Sequence, residues 1–135
     1  MMNIIKAFPP NIEAIVAVFP KARNSNVIFT YGHDVYVPSG IPLSPELKAH
    51  ESVHIQQQTT YSPSIQWWWD TYLADAEFRL GEELKAHREE YWKYCAMNRD
   101  TNARARFLSM LAARLAGPLY GKILSTTAIR KAISA

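Results

Sequence analysis

His50, Glu51, Ser52, Val53 and His54 spell H-E-x-x-H in a chain with only four histidines. Residues i and i+4 of an α-helix share a face, so both imidazoles reach one metal ion. Glu51, about 100° round the helix, stands near enough to act on a water held there. Two neutral nitrogen ligands leave zinc room for a third protein ligand and a water, the pattern of a catalytic site. The chemistry implied is metal-assisted hydrolysis, with a zinc-bound water polarised by Glu51.

The third ligand must come from another helix. The extended pattern H-E-x-x-H-x-x-G-x-x-H fails, because Gln57 and Thr60 stand where the glycine and third histidine belong. Carboxylates remain, and the segment 75–94 offers Glu77, Glu82, Glu83, Glu89 and Glu90. Glu83 is favoured. It opens the word Glu83-Leu84-Lys85-Ala86, whose small last residue lets two helices approach, and Leu80, Leu84 and Tyr91 place it near the apolar stripe. Glu77 is the next choice. His87, one turn beyond Glu83, is the candidate donor to a developing oxyanion, with Tyr61, Tyr72 and Tyr91 as alternatives. Among Gln56, Gln57 and Gln58 one is a candidate to hydrogen-bond a ligand from behind, and Cys95 is a candidate fourth ligand or a buried free thiol.

Local signals place these residues. Ser44-Pro45-Glu46 predicts a helix start, with cap, proline at the first position and an acid at the positive end, running to about Gln58. Val27–Tyr31 and Val35–Val37, joined through Gly32-His33-Asp34, predict a hairpin. Asn11 is read as the cap of a short helix ending before Pro20, and helices are predicted over 64–73, 75–94, 102–115 and 119–133. Trp67-Trp68-Trp69 cannot share one helix face, so at least one ring faces solvent or the cleft while the others pack in the core. The fold class expected is α+β, mostly α.

At 135 residues, 48% hydrophobic and 20% charged, the chain suits one folded domain and excludes a multi-domain enzyme or a disordered segment. The net charge of +3 conceals a division. Residues 1–98 hold eight Lys/Arg and eleven Asp/Glu (−3), whereas 99–135 hold seven Lys/Arg and one acid (+6). The expectation is a metal-binding body, 1–98, with a basic helical tail, 99–135, packed on it. That tail is a candidate surface for nucleic acid or an acidic partner, or a cover over the cleft. One cysteine permits no internal disulfide, prolines interrupt the apolar N-terminus, and no apolar run is long enough to span a membrane, so the cytoplasm is expected.

With H-E-x-x-H followed by a glutamate on a later helix, the chain resembles the gluzincin zinc metallopeptidases, and its length resembles their minimal members, the minigluzincins. It is also similar to small phage and prophage proteins in which an Asp34-Val35-Tyr36-like hairpin, H-E-x-x-H-x-x-Q, a Trp-rich stretch and F-R-L-x-x-E-x-x-A follow one another. Here those words are His50–Gln57, Trp67–Trp69 and Phe78–Ala86. The resemblance covers residues 27–94. It implies a zincin-like active-site helix, zinc held by His50, His54 and Glu83, Glu51 as base, and a peptide or protein substrate lying along Phe29, Thr30 and Tyr31. It extends the expected setting to a phage-infected host cell or virion. Glu82 stands where an asparagine is usual before the ligand and His87 where an aspartate often follows. Two other functions stay open: a zinc-stabilised scaffold without turnover, and a basic interaction module that uses zinc only to fold.

Overall fold

In the computed structural model, which describes residues 2–135, Ser44 starts the histidine helix as its residue type predicts. Its hydroxyl accepts from the Leu47 amide at 3.4 Å, Pro45 fills the first turn, and α2 runs Pro45–Thr59. The hairpin forms β2 (Phe29–Tyr31) and β3 (Asp34–Tyr36), with Phe29 opposite Tyr36 and Tyr31 opposite Asp34. Gly32, the first residue of the two-residue turn, has φ 66°, which a side chain would strain; a Cβ there would also meet Ile65 at 2.9 Å.

A strand with no local signal completes the sheet. β1 (Asn3–Ile5) lies parallel to β3, Asn3 against Asp34 and Ile5 against Tyr36, giving the order β1-β3-β2. Three residues whose partner lies some thirty positions away are recognisable only once the chain has folded back. α1 (Ile12–Val18) forms as expected, but the Asn11 side chain accepts no capping bond.

Three further helices form close to the predicted spans, each capped by a side chain. Ser64 accepts from Trp67 N at 3.0 Å to begin α3 (Ile65–Ala74). Asp75 accepts from Glu77 N at 3.0 Å and Phe78 N at 3.2 Å to begin α4 (Ala76–Met97), and Asp100 caps α5 (Thr101–Leu115). The single last helix expected over 119–133 is corrected. A short 3-10 turn, Pro118–Tyr120, ends in left-handed Gly121 (φ 78°) and Lys122 (φ 50°), and Ser125 then caps a separate α6 (Thr126–Ser134). Two consecutive left-handed residues cannot continue a right-handed helix.

The fold is α+β and mostly helical, six α-helices and one three-stranded sheet among the described residues. Leu111 and Leu115 of α5, Ile129 and Ile133 of α6 and Tyr120 bury themselves with Leu80 of α4. Residues 99–135 therefore share a core with the body. Trp68 and Trp69 pack with Ile15, Ala22 and Phe29, while exposed Trp67 stands edge-on to Phe78. α2 has no apolar stripe; the residues it buries are His50, Glu51, His54, Ile55, Gln57 and Gln58. Burying so many polar groups is tolerable only where each finds a partner, and these partners build the site.

Candidate metal centre

α2 and α4 pack side by side, and Ala86, fully buried, lets them close. α2 presents His50 and His54; α4 presents Glu83, His87 and Glu90, spaced i, i+4, i+7 along one face. His50 Nε2 and His54 Nε2 lie 3.2 Å apart, and Glu83 Oε1 lies 3.1 Å from the second and 3.3 Å from the first.

The other ring nitrogens say which atoms carry hydrogen. His50 Nδ1 donates to Glu90 Oε1 at 2.8 Å and His54 Nδ1 donates to Gln57 Oε1 at 2.8 Å. The Gln57 amide is itself oriented by donating Nε2 to the Glu82 carbonyl at 3.0 Å. In the neutral rings both Nε2 atoms therefore present lone pairs beside the Glu83 oxygen, and without a metal ion a proton on either ring is shared with Glu83 Oε1 at the same point. Zinc bonds of 2.0–2.1 Å in a tetrahedron set ligand atoms about 3.3 Å apart, close to the spacing present here. Tyr72 donates its hydroxyl to Glu83 Oε2 at 2.6 Å and leaves Oε1 for the cluster. Each donor is thus aimed by a residue behind it.

The charges agree. Burial opposes a charge on His50 and His54, yet the carboxylates around them outweigh it: Glu51, Glu83 and Glu90 raise His50 well above its ordinary pKa, and Glu83 chiefly raises His54. Glu83 is pushed the opposite way, burial being overcome by the two imidazoles, so its carboxyl sits well below the usual range. The pocket favours a positive charge at its centre. Two buried, overlapping groups could hold a metal ion, His50 with Glu51 and His54, and His50 with His87 and Glu90, the ligand atoms of each lying within 4.8 Å of one another; Glu83 Oε1 adds a donor within 3.3 Å of both His50 and His54.

Glu51 sits beside the cluster. Thr30 Oγ1 donates to its Oε1 at 3.0 Å, its Oε2 is 3.8 Å from His50 Nε2, and burial raises its pKa. Thr30 thus reaches the site through its hydroxyl on the base. Its carbonyl, expected to meet a substrate strand, already accepts from Gln58 Nε2 at 2.9 Å and Trp69 Nε1 at 3.0 Å. Phe29 is buried in the core and borders the cavity, and Tyr31 packs in the same core without reaching the cavity.

His87 also departs from expectation. Its Nδ1 donates to the Glu83 carbonyl at 2.7 Å, and burial together with the charge on His50 lowers its pKa to about 4, so the ring is neutral and Nε2 bears a lone pair. That atom is an acceptor and cannot donate to an oxyanion; it is buried without a partner. Glu77 and Glu89 are exposed, and Glu82 is engaged by Trp68 Nε1 at 2.9 Å and by Lys85. Tyr61 is 77% exposed. Cys95 is a buried free thiol, twelve residues beyond Glu83 and so about 18 Å further along the helix, out of reach of the cluster.

A cavity of about 590 Å³ opens over the cluster. Besides Glu51 and the donors it is lined by Trp68, Trp69, Phe19, Leu119 and Tyr120, so residues 99–135 form part of its wall and leave it open. Sequence reasoning overlooked Tyr120. Burial and the charge of Glu83 push its phenol far up, so it stays a protonated donor. Among the described residues no helix is long and apolar enough to cross a membrane. No protein-family model, curated protein or solved structure matches the chain.

Proposed function

We propose that the chain is a small zinc-dependent metallopeptidase of the gluzincin type. One observation carries this reading: His50 Nε2, His54 Nε2 and Glu83 Oε1 converge within 3.1–3.3 Å, each turned to that point by a hydrogen bond from behind. Bound there, zinc would supply a Lewis acid that activates a water and polarises a scissile carbonyl. Glu51 is the base. Thr30 holds one of its oxygens, and its raised pKa lets it keep a proton long enough to deliver it to the leaving amine. Tyr120, on the cavity wall, is the donor available to a developing oxyanion, in place of His87. The free Cys95 accords with work in a reducing cytoplasm, of a phage-infected host included.

Metal analysis of purified protein tests the reading. Wild type is expected to hold one zinc and cleave unstructured peptides. Glu51→Gln keeps the zinc and loses cleavage; Glu83→Ala loses affinity for zinc. Undiminished cleavage by Glu51→Gln removes the catalytic proposal, and full occupancy in Glu83→Ala removes the ligand assignment.

The partnerless lone pair of His87 favours a second reading, a zinc-stabilised scaffold. A fourth ligand, the third nitrogen, would close the coordination sphere and leave no place for water. X-ray absorption on the zinc-loaded protein separates the two. Two imidazoles in wild type support the peptidase. Three, falling to two in His87→Asn, support the scaffold.

A further inference from the structure

Two cations line the cavity without partners. Arg114, in the last turn of α5, and Lys21, in the 3-10 turn Pro20–Arg23, are both exposed, and neither makes a salt bridge among the described residues. The only carboxylates on the same lining are Glu51 and Glu83, both committed to the histidine cluster. The remaining lining is largely apolar or aromatic, with Phe19, Val27, Ile28, Leu47 and Leu119. With the two carboxylates offset by a divalent ion at the cluster, Arg114 and Lys21 leave the cleft with a surplus of two positive charges. The α5 segment that looked like a nucleic-acid surface thus sends one arginine into the cleft.

We infer that the cleft selects peptides carrying a carboxylate, either a free C-terminus or an acidic side chain next to the reacting bond, through Arg114 with Lys21 as the second cation. A volume near 590 Å³ suits a short peptide segment, apolar in its body. Guanidinium matches carboxylate in shape as well as charge, whereas an ammonium acts as a point charge, so Arg114 dominates. This inference rests on the metallopeptidase reading, since the metal is what would anchor the peptide beside the arginine.

The experiment uses zinc-loaded full-length protein and binding alone, by isothermal titration calorimetry at low and high salt. The probes are a succinyl hydroxamate of Leu-Ala ending in a free carboxylate and its C-terminal amide, then Leu-Asp amide and Leu-Asn amide versions of the same hydroxamate. Wild type is expected to bind at least one carboxylate form about tenfold tighter than its neutral counterpart, with the preference shrinking at high salt. The first pair reports a C-terminal carboxylate and the second an acidic side chain. Arg114→Ala is expected to abolish the preference while neutral probes keep their affinity within about twofold, and Lys21→Ala to reduce it by less. Equal binding of acid and neutral probes in wild type, or a preference that survives the Arg114→Ala, Lys21→Ala double variant, overturns the inference and leaves the metal site standing. Binding of none of the four hydroxamates overturns the metallopeptidase reading and this inference with it.

Discussion

Glu90→Gln is expected to weaken zinc binding about tenfold, although Glu90 touches no metal. Its buried carboxylate accepts the His50 Nδ1 hydrogen at 2.8 Å and so points Nε2 at the cluster. Glutamine can still accept through its amide oxygen, so the loss is that between a charged and a neutral hydrogen bond, roughly 1–1.5 kcal/mol, or a factor of about ten. Glu90→Leu also strands a buried N–H and is expected to cost about a hundredfold. The pH dependence follows from the same bond. Glu90 helps raise the His50 pKa, behind Glu51 and Glu83, and below that raised value zinc must displace a proton. Removing Glu90 weakens the proton's hold as well as the metal's, so the deficit of the variant shrinks as pH falls through the raised His50 value. Competition with a chromophoric zinc chelator across that range measures it, with urea unfolding of the metal-free proteins alongside to separate affinity from folding. Wild-type affinity in Glu90→Gln, or a deficit independent of pH, would refute the assignment of Glu90 as the residue that aims His50.

Other consequences can be checked on the same protein. Tyr72→Phe removes the 2.6 Å bond to Glu83 Oε2, and chelator competition is expected to show zinc held roughly tenfold more weakly at unchanged stoichiometry. The folded pKa of His87, about 4, lies below its ordinary 6.5, so the unfolded chain takes the proton first and stability is lost as pH falls between those values. The loss attributable to His87 is about 3 kcal/mol in the metal-free protein, and His87→Asn, which keeps a donor for the Glu83 carbonyl, is expected to show an acid slope shallower by that amount in urea unfolding. Ile129→Ala, at a fully buried site in the core shared by α4, α5 and α6, is expected to destabilise the whole chain by about 2–4 kcal/mol in a single transition. A separate early transition for residues 99–135 would show that the basic tail folds by itself.

Local patterns in the sequence already carried the histidine helix. Four-residue spacing puts His50 and His54 on one face, Ser44-Pro45 sets where that face begins, and Gly32 sets the hairpin; each depends on neighbours within one turn of chain. Which of five acids on α4 meets the histidines was only half legible. A glutamate is brought in by the register between two helices, which depends on how closely buried Ala86 lets them pack. The residues that aim the ligands, Gln57, Tyr72 and Glu90, are ordinary polar side chains whose partners sit 3, 11 and 40 positions away, so only Gln57 could be anticipated from its place on the same helix. The role of His87 turned on a hydrogen atom. Its i+4 position suggested a donor, and the bond to the Glu83 carbonyl made its free nitrogen an acceptor. β1, and the return of Arg114, Leu119 and Tyr120 to the cleft, arise from contacts between distant segments, where burial and packing outweigh local preference. The sequence by itself determined the histidine pair and its spacing along one helix; tertiary structure decided which side chains join it in the cluster and which charges face the cavity, because those depend on distances through space that no local spacing encodes.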